Sequence, residues 1–218
     1  MRAVIVANGD AVPADRTIAA DADLLIAADG GGLLCSRWGL LPQLVVGDLD
    51  SLGADHAEDL ARRGVRVVAH PADKDESDTE LAVRIAHERG AHEMVLLAAL
   101  GGDRLDHAIA NILLLAGPQL DGRLRAVRGS TTVRALHGGG RLVLGGSAGD
   151  IVTLLPIGDA QGVVTDGLRY PLRDAPLIAG AARGLSNVVE SPPASVALRA
   201  GVLLVIEIAA DSAEGGHS

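Results

Sequence analysis

Five short apolar runs, residues 2–7, 24–28, 44–46, 65–69 and 94–98, alternate with helix-patterned segments near 32–38, 54–63, 79–88 and 106–116. A run that is apolar at almost every position is buried on both faces. Strands of that kind, separated by helices, form a parallel sheet covered on each side. One helix start is marked by Ser77-Asp78-Thr79-Glu80, which fits a capping box with Ser77 as N-cap and Glu80 reaching back.

After about residue 122 the helical periodicity stops. Short runs at 131–136, 141–144, 151–156, 162–165, 195–199 and 202–208 follow, separated by Gly, Pro, Asp and Asn. That rhythm predicts an antiparallel sandwich or barrel. The expected fold is therefore α/β: a Rossmann-like parallel-sheet domain over residues 1–125, joined within 121–129 to an antiparallel β-sandwich domain over 126–210, with a frayed tail beyond.

With 48% apolar residues the chain buries a substantial core, and that core is aliphatic, because Phe is absent and Trp38 and Tyr170 are the only aromatics. So few stacking rings argue against a single-strand nucleic-acid binder, and the net charge of −9 argues against any nucleic-acid partner. A small anionic ligand needs a local positive group, for which a divalent metal is the candidate. Cys35 is the only cysteine, which excludes an internal disulfide and a cysteine zinc site. The first apolar run reaches Asn8-Gly9-Asp10 too early for a secretory signal. No stretch approaches the roughly eighteen apolar residues of a membrane span. The expected location is the cytoplasm. Lys74 is the only lysine, so no mechanism here can use a lysine elsewhere.

Polar groups collect at the carboxyl ends of the predicted strands, where open α/β sheets place ligands. Asp29-Gly30-Gly31-Gly32 is either a plain turn or a close backbone approach to an anion. Asp48 and Asp50 stand two residues apart just past an apolar run, a spacing that suits Mg²⁺ as well as a solvated loop with a capping Asp. Residues 73–80 hold five carboxylates, which repel one another unless a cation or solvent relieves them. Gly101-Gly102-Asp103-Arg104-Leu105-Asp106-His107 leads into a helix containing Asn111. Its arginine fits phosphoryl oxygens, and its Asp106 equally fits a helix cap.

In order and spacing, ADGGG, VVGDLDSL, DKDESDTELA and GGDRLDHAIANILLL resemble the signature blocks of the thiamine pyrophosphokinase family. GDIVTLLP, TDGLRYPL, GLSN and the closing GVLLVI continue the resemblance, which spans roughly residues 2–208. It implies an α/β catalytic domain, a β-sandwich, ATP and thiamine as substrates, Mg²⁺, and a homodimer with active sites between subunits. By the resemblance Asp48, Asp50 and Asp78 hold Mg²⁺, and Asp73 and Asp75 line the same crevice. Asp29, Gly30, Gly31, Ser51 and Asn111 stand on the nucleotide side. Arg104, Asp106 and His107 match a GGRxDH block, and Ser186 and Asn187 match a pair that contacts thiamine, with Tyr170 at a neighbouring aromatic position. Two departures stand out: Asp103 intervenes between Gly102 and Arg104, and Tyr170 replaces a Trp of some members. The implied chemistry is attack of the thiamine hydroxyl on the β-phosphorus of ATP with loss of AMP. Arg104 stabilises developing charge, and Asp78 or Asp106 orients or deprotonates the hydroxyl.

Three other readings are open. A haloacid-dehalogenase-type phosphatase needs its DxD on the first strand and a downstream lysine, whereas this pair follows the third strand and no lysine follows Lys74. A pyrophosphokinase of the same fold acting on a pterin alcohol is countered by the GLSN and TDGLRYPL segments. A non-catalytic thiamine or nucleotide sensor is countered by intact acids at every matching metal position.

Overall fold

The computed structural model describes residues 1–70, 75–120 and 122–210. The chain divides into two compact units, Met1–Gly129 and the residues from Ser130 onward. The division follows Gly129, just after a strand that the sequence pattern did not show.

The first unit runs β1 (Arg2–Val6), α1 (Pro13–Ala20), β2 (Leu24–Ala28), α2 (Gly31–Arg37), β3 (Leu44–Gly47), α3 (Ala54–Arg62), β4 (Arg66–Ala69), α4 (Asp78–Glu88), β5 (Glu93–Leu97), α5 (Leu105–Leu114) and β6 (Leu124–Arg128). Its strands are ordered β4-β3-β2-β1-β5-β6, and every neighbouring pair is parallel. Alternate strand residues serve opposite faces. Val4, Val6, Leu25, Ala27, Val45, Val95 and Leu97 pack with Leu34, Cys35, Ala57 and Leu60 of α2 and α3. On α4, which packs on β1, β2 and β3, Leu81, Ala82 and Ala86 are fully buried. Burying each large aliphatic side chain contributes about 1.5–3 kcal/mol. Burial also pushes the Cys35 thiol up to about 12, so it stays protonated and inert.

The sequence pattern missed α1 and β6. Helix α1 has only eight residues and opens with Pro13 as its first residue. It is held by Asp15, whose fully buried carboxylate accepts hydrogen bonds from the Val12 and Gly129 amides at 3.0 and 2.9 Å. That contact between residues 114 apart in sequence is invisible to local periodicity. In β6, Arg125 and Arg128 interrupt the apolar run. Arg125 reaches Glu93 of β5 at 2.7 Å and so is accommodated at the sheet.

The second unit is antiparallel: β7 (Thr131–His137), β8 (Arg141–Val143), β9 (Ile151–Asp166), β10 (Ala175–Leu177), β11 (Asn187–Val188), β12 (Ser195–Ala197) and β13 (Ala200–Ile208). The runs at 151–156 and 162–165 are one strand of 16 residues. Its first half pairs with β13, which also pairs with β7, and its end pairs with β12, which also pairs with β8. Strand β9 therefore serves both layers, and Val152, Leu154, Val163, Leu177, Val196, Leu203 and Val205 fill the core. Strands β10 and β11, too short to show a pattern, also add to β9. Among the described residues no helix is long and apolar enough to cross a membrane.

Candidate functional site

Strand order in the first unit reverses between β1 and β5: β2, β3 and β4 lie to one side of β1, β5 and β6 to the other. Loops leaving the carboxyl ends on either side of such a switch point diverge and leave a crevice. A cavity of about 480 Å³ occupies this place, lined from the β1 end by Asn8 and Gly9, from β2 by Asp29, from β3 by Asp48, Asp50 and Ser51, from α4 by Asp78, and from the β5–α5 turn by Asp103, Arg104, His107 and Asn111.

The backbone at three of these strand ends is left-handed at residues other than glycine: Asp29 (φ 44°), Leu49 (φ 67°) and Ala98 (φ 53°). Each such residue costs about 1–2 kcal/mol, and such strain collects where function demands a particular turn. The turn at Leu49, with the Asp50 amide donating to Asp48 Oδ1 at 3.2 Å, folds the Asp48–Asp50 segment back toward β2. The Leu52 amide donates to Asp29 Oδ1 at 3.2 Å and ties the two loops together. As a result one carboxylate oxygen each from Asp29, Asp48 and Asp50 lie within 4.8 Å of one another. Asp78 stands beside them: a Cβ built on Gly47, whose φ is 145°, lies 3.0 Å from both the Asp29 Cβ and the Asp78 carboxyl carbon. Only a residue without a side chain lets these acids close on β3.

Asp29, buried at 6% exposure, has its carboxyl raised above the usual range. Burial is the main cause and the Asp50 charge adds to it, against hydrogen bonds from Ser51, Leu52 and Gly30. Asp50, at the exposed rim, is lowered, chiefly by the Ser51 hydroxyl that donates to it at 3.1 Å. Hard carboxylate oxygens converging without nitrogen or sulfur fit Mg²⁺ better than a transition metal.

Opposite the acids, Arg104 forks onto Asp106 at 2.7 and 3.0 Å. The pair raises the guanidinium's pKa and holds the Asp106 carboxyl far below its usual range. Asp106 is thus a weak base. The two side chains are 67% and 65% exposed, so this surface pair exchanges readily with an incoming anion. His107 and Asn111, one helical turn apart on α5, line the cavity with Arg104.

Among the sequence-predicted residues, Asp29, Asp48, Asp50, Ser51, Asp78, Arg104, His107 and Asn111 meet at this cavity. Gly30 and Gly31 are buried behind it: their added Cβ atoms fall 2.3 Å from Asn8 Oδ1 and 2.0 Å from the Val6 carbonyl oxygen. Their small size lets α2 dock on the end of β1. Asp106 and Asp75 are exposed and outside the lining, and Asp73 lies outside the described residues. Ser77 caps α4 by accepting from the Glu80 amide at 3.1 Å. Among the described residues no hydrogen bond returns from the Glu80 side chain, so the expected box is half formed. Asn8 and Gly9 were missed as lining residues, although a polar Asn-Gly directly after the first strand was the available signal.

In the second unit Tyr170, Asn187, Leu154, Leu172, Arg169 and Arg183 line a cavity of about 380 Å³. The Asn187 amide is spent on the backbone: its Oδ1 accepts from the Tyr170 and Val188 amides at 3.0 and 2.9 Å, and its Nδ2 donates to the Tyr170 carbonyl at 2.7 Å. It fixes the backbone of Tyr170, a residue that is 64% exposed. Ser186 is left-handed (φ 53°), with its amide donating to Thr153 Oγ1 at 3.0 Å, and is not part of the lining. A Cβ on Gly184 would meet the Leu154 carbonyl oxygen at 2.1 Å, so glycine is required for this loop to cross β9.

A parallel sheet whose switch point gathers carboxylates opposite an exchangeable arginine places the chain in the class of open α/β proteins with a charged ligand crevice at the carboxyl ends of the strands. Comparison with known proteins narrows this. Residues 16–124 match the family model described as thiamin pyrophosphokinase, catalytic domain, and residues 143–203 match thiamin pyrophosphokinase, vitamin B1 binding domain. The chain belongs to the thiamin pyrophosphokinase family. It is 22% identical over 185 residues to a thiamine pyrophosphokinase of Bacillus subtilis, covering 84% of this chain and 86% of that protein. The crystal structure of thiamine pyrophosphokinase from Bacillus subtilis superposes with a TM-score of 0.84 at 22% identity, covering 96% of this chain and 99% of the other. That of thiamin pyrophosphokinase from Geobacillus thermodenitrificans gives 0.80 at 25% identity, over 97% and 99%.

Proposed function

We propose that the chain transfers the pyrophosphoryl group of ATP to the hydroxyl of thiamine, giving thiamine diphosphate and AMP. The convergence of Asp29, Asp48 and Asp50 within 4.8 Å carries this reading, because carboxylates held this close repel one another unless a cation relieves them. Asp29, Asp48 and Asp50, with Asp78 beside them, would hold Mg²⁺, which neutralises phosphate charge when bound. Phosphoryl transfer asks for positioning and charge neutralisation more than covalent help. Arg104, released from Asp106 by the competing phosphate, takes up charge that develops as the bond to AMP breaks. Asp106 is exposed and outside the cavity lining, whereas Asp78 lines it, so Asp78 is the better placed to orient or deprotonate the hydroxyl. In the second unit Tyr170, fixed by Asn187, offers a ring for the thiamine to stack on.

The reading includes a cytoplasmic homodimer with active sites at the subunit interface. Support for the dimer comes from α5, where Leu105, Ile109 and Leu113 are 71%, 48% and 50% exposed on one stripe of the helix that also carries His107. Ile109→Glu is expected to turn a dimer into a monomer in analytical ultracentrifugation and to cost most of the activity. A wild-type protein that sediments as a monomer while fully active would remove the dimer from the account.

Incubation with ATP, Mg²⁺ and thiamine should yield AMP and thiamine diphosphate in equal amounts, and EDTA should stop it. A hydroxymethylpterin in place of thiamine should yield no AMP. Equal turnover with the pterin, or release of inorganic phosphate without AMP, would overturn the reading.

A further inference from the structure

The cavity of the second unit carries a charge pattern unsuited to a bare cation. Thiamine has a permanent positive charge on its thiazolium ring, yet no carboxylate lines this cavity and two guanidiniums do, those of Arg169 and Arg183. Arg169 is partly engaged by Glu190 at 3.7 Å. Arg183 has no hydrogen bond or ion pair among the described residues. It is held beside the cavity because the next residue, Gly184, is pinned to β9 by the Leu154 amide, which donates to the Gly184 carbonyl at 2.8 Å. Guanidiniums repel a thiazolium and, with their forked donors, bind phosphate oxygens. The ring compound that suits an exposed tyrosine, an apolar floor of Leu154 and Leu172 and two guanidiniums carries an anionic tail.

We propose that this cavity selects the phosphorylated ring compound over its free alcohol, so that the product, thiamine diphosphate, is retained in competition with thiamine and restrains turnover. The proposal rests on the reading above that the second unit takes thiamine, and adds the preference between the two forms.

The test is calorimetric titration of the full-length protein with thiamine, thiamine monophosphate, thiamine diphosphate and inorganic pyrophosphate, at low and at raised salt. Thiamine diphosphate should bind on the order of 10-fold more tightly than thiamine at low salt, with the monophosphate between them and the gap closing as salt screens the guanidiniums. Pyrophosphate alone should bind weakly, since it lacks the ring. Arg183→Gln and Arg169→Gln should each shrink the ratio several-fold while leaving thiamine itself bound as well or better. Both arginines are exposed, so circular dichroism should show these variants folded. In steady state, the inhibition constant of added thiamine diphosphate against thiamine should rise by the same factor. Equal affinities for the two forms, an unchanged ratio in Arg183→Gln, or pyrophosphate alone binding as tightly as the ester in the presence of EDTA would each overturn the proposal. If no thiamine compound binds and no AMP is formed, the proposed function itself has failed; thiamine bound and turned over without preference defeats the product selectivity alone.

Discussion

Asp48→Asn is expected to lower kcat about a thousandfold at saturating Mg²⁺, while the metal-free variant stays folded and melts slightly higher than metal-free wild type. The rate loss follows from the geometry: the Asp48 oxygen is one of three that meet within 4.8 Å, and an amide there supplies a weaker, uncharged ligand. Losing much of the charge stabilisation at a transferring phosphoryl group costs about 4 kcal/mol in the barrier, or three decades in rate. The stability effect has the opposite sign. Three ionised carboxylates held this close repel one another, and folding brings them together. Asp48 is half-buried and Asp50 exposed, so solvent reduces the penalty to roughly 1 kcal/mol. Its removal in protein dialysed against EDTA should raise the melting temperature by about 2–4 °C for a chain of this size. In excess Mg²⁺ the order should reverse, because the wild type gains more from binding than the variant. AMP release and differential scanning calorimetry measure the two sides. Near-full turnover by Asp48→Asn would show that these acids do not serve a metal in catalysis.

How much of this was readable in the sequence depends on the range of the interaction. Strands β1 to β5 and helices α2 to α5 were legible because each buries a face whose period the residues display. Helix α1 was not, because what holds it is the buried Asp15 clamping Val12 and Gly129, a contact across most of the unit. Asp48, Asp50 and Arg104 were recognisable as chemistry because acids or arginines directly after apolar strands have few structural reasons to be there. The partners each acid meets were not. Asp29 was read as a neighbour of the nucleotide, yet it joins the acidic cluster itself, drawn in by left-handed turns at positions 29 and 49 that no local propensity predicts. In the sequence Gly30 and Gly31 fit a plain turn and a close backbone approach to an anion equally well. The structure gives them a packing role, and so the same residue type carries two meanings that sequence alone does not separate.

That packing role makes the second large prediction. Gly31→Ala should lower the melting temperature by roughly 6–12 °C and remove most of the activity, whereas Gly39→Ala, at the other end of the same helix, should cost about 1 kcal/mol and leave activity intact. An alanine Cβ at 31 would sit 2.0 Å from the Val6 carbonyl oxygen and 2.8 Å from its carbon. Both are backbone atoms of fully buried Val6 in the central strand β1, which cannot yield, so α2 must move. Helix α2 has seven residues, too few to persist without docking, and it contributes the buried Leu34 and Cys35 to the core. Overpacking of this kind costs about 3 kcal/mol, a large part of a typical domain's stability. The displacement also reaches the site, because Asp29 lies two residues before Gly31 in the turn that brings it to Asp48 and Asp50. At Gly39, φ is 70° and nothing lies within 4 Å of an added Cβ, so alanine meets only backbone strain. If Gly31→Ala melts within a degree of wild type and keeps its rate, close docking of α2 on β1 is not what holds Asp29 in place, and the ADGGG block must be explained by direct contact with the nucleotide instead.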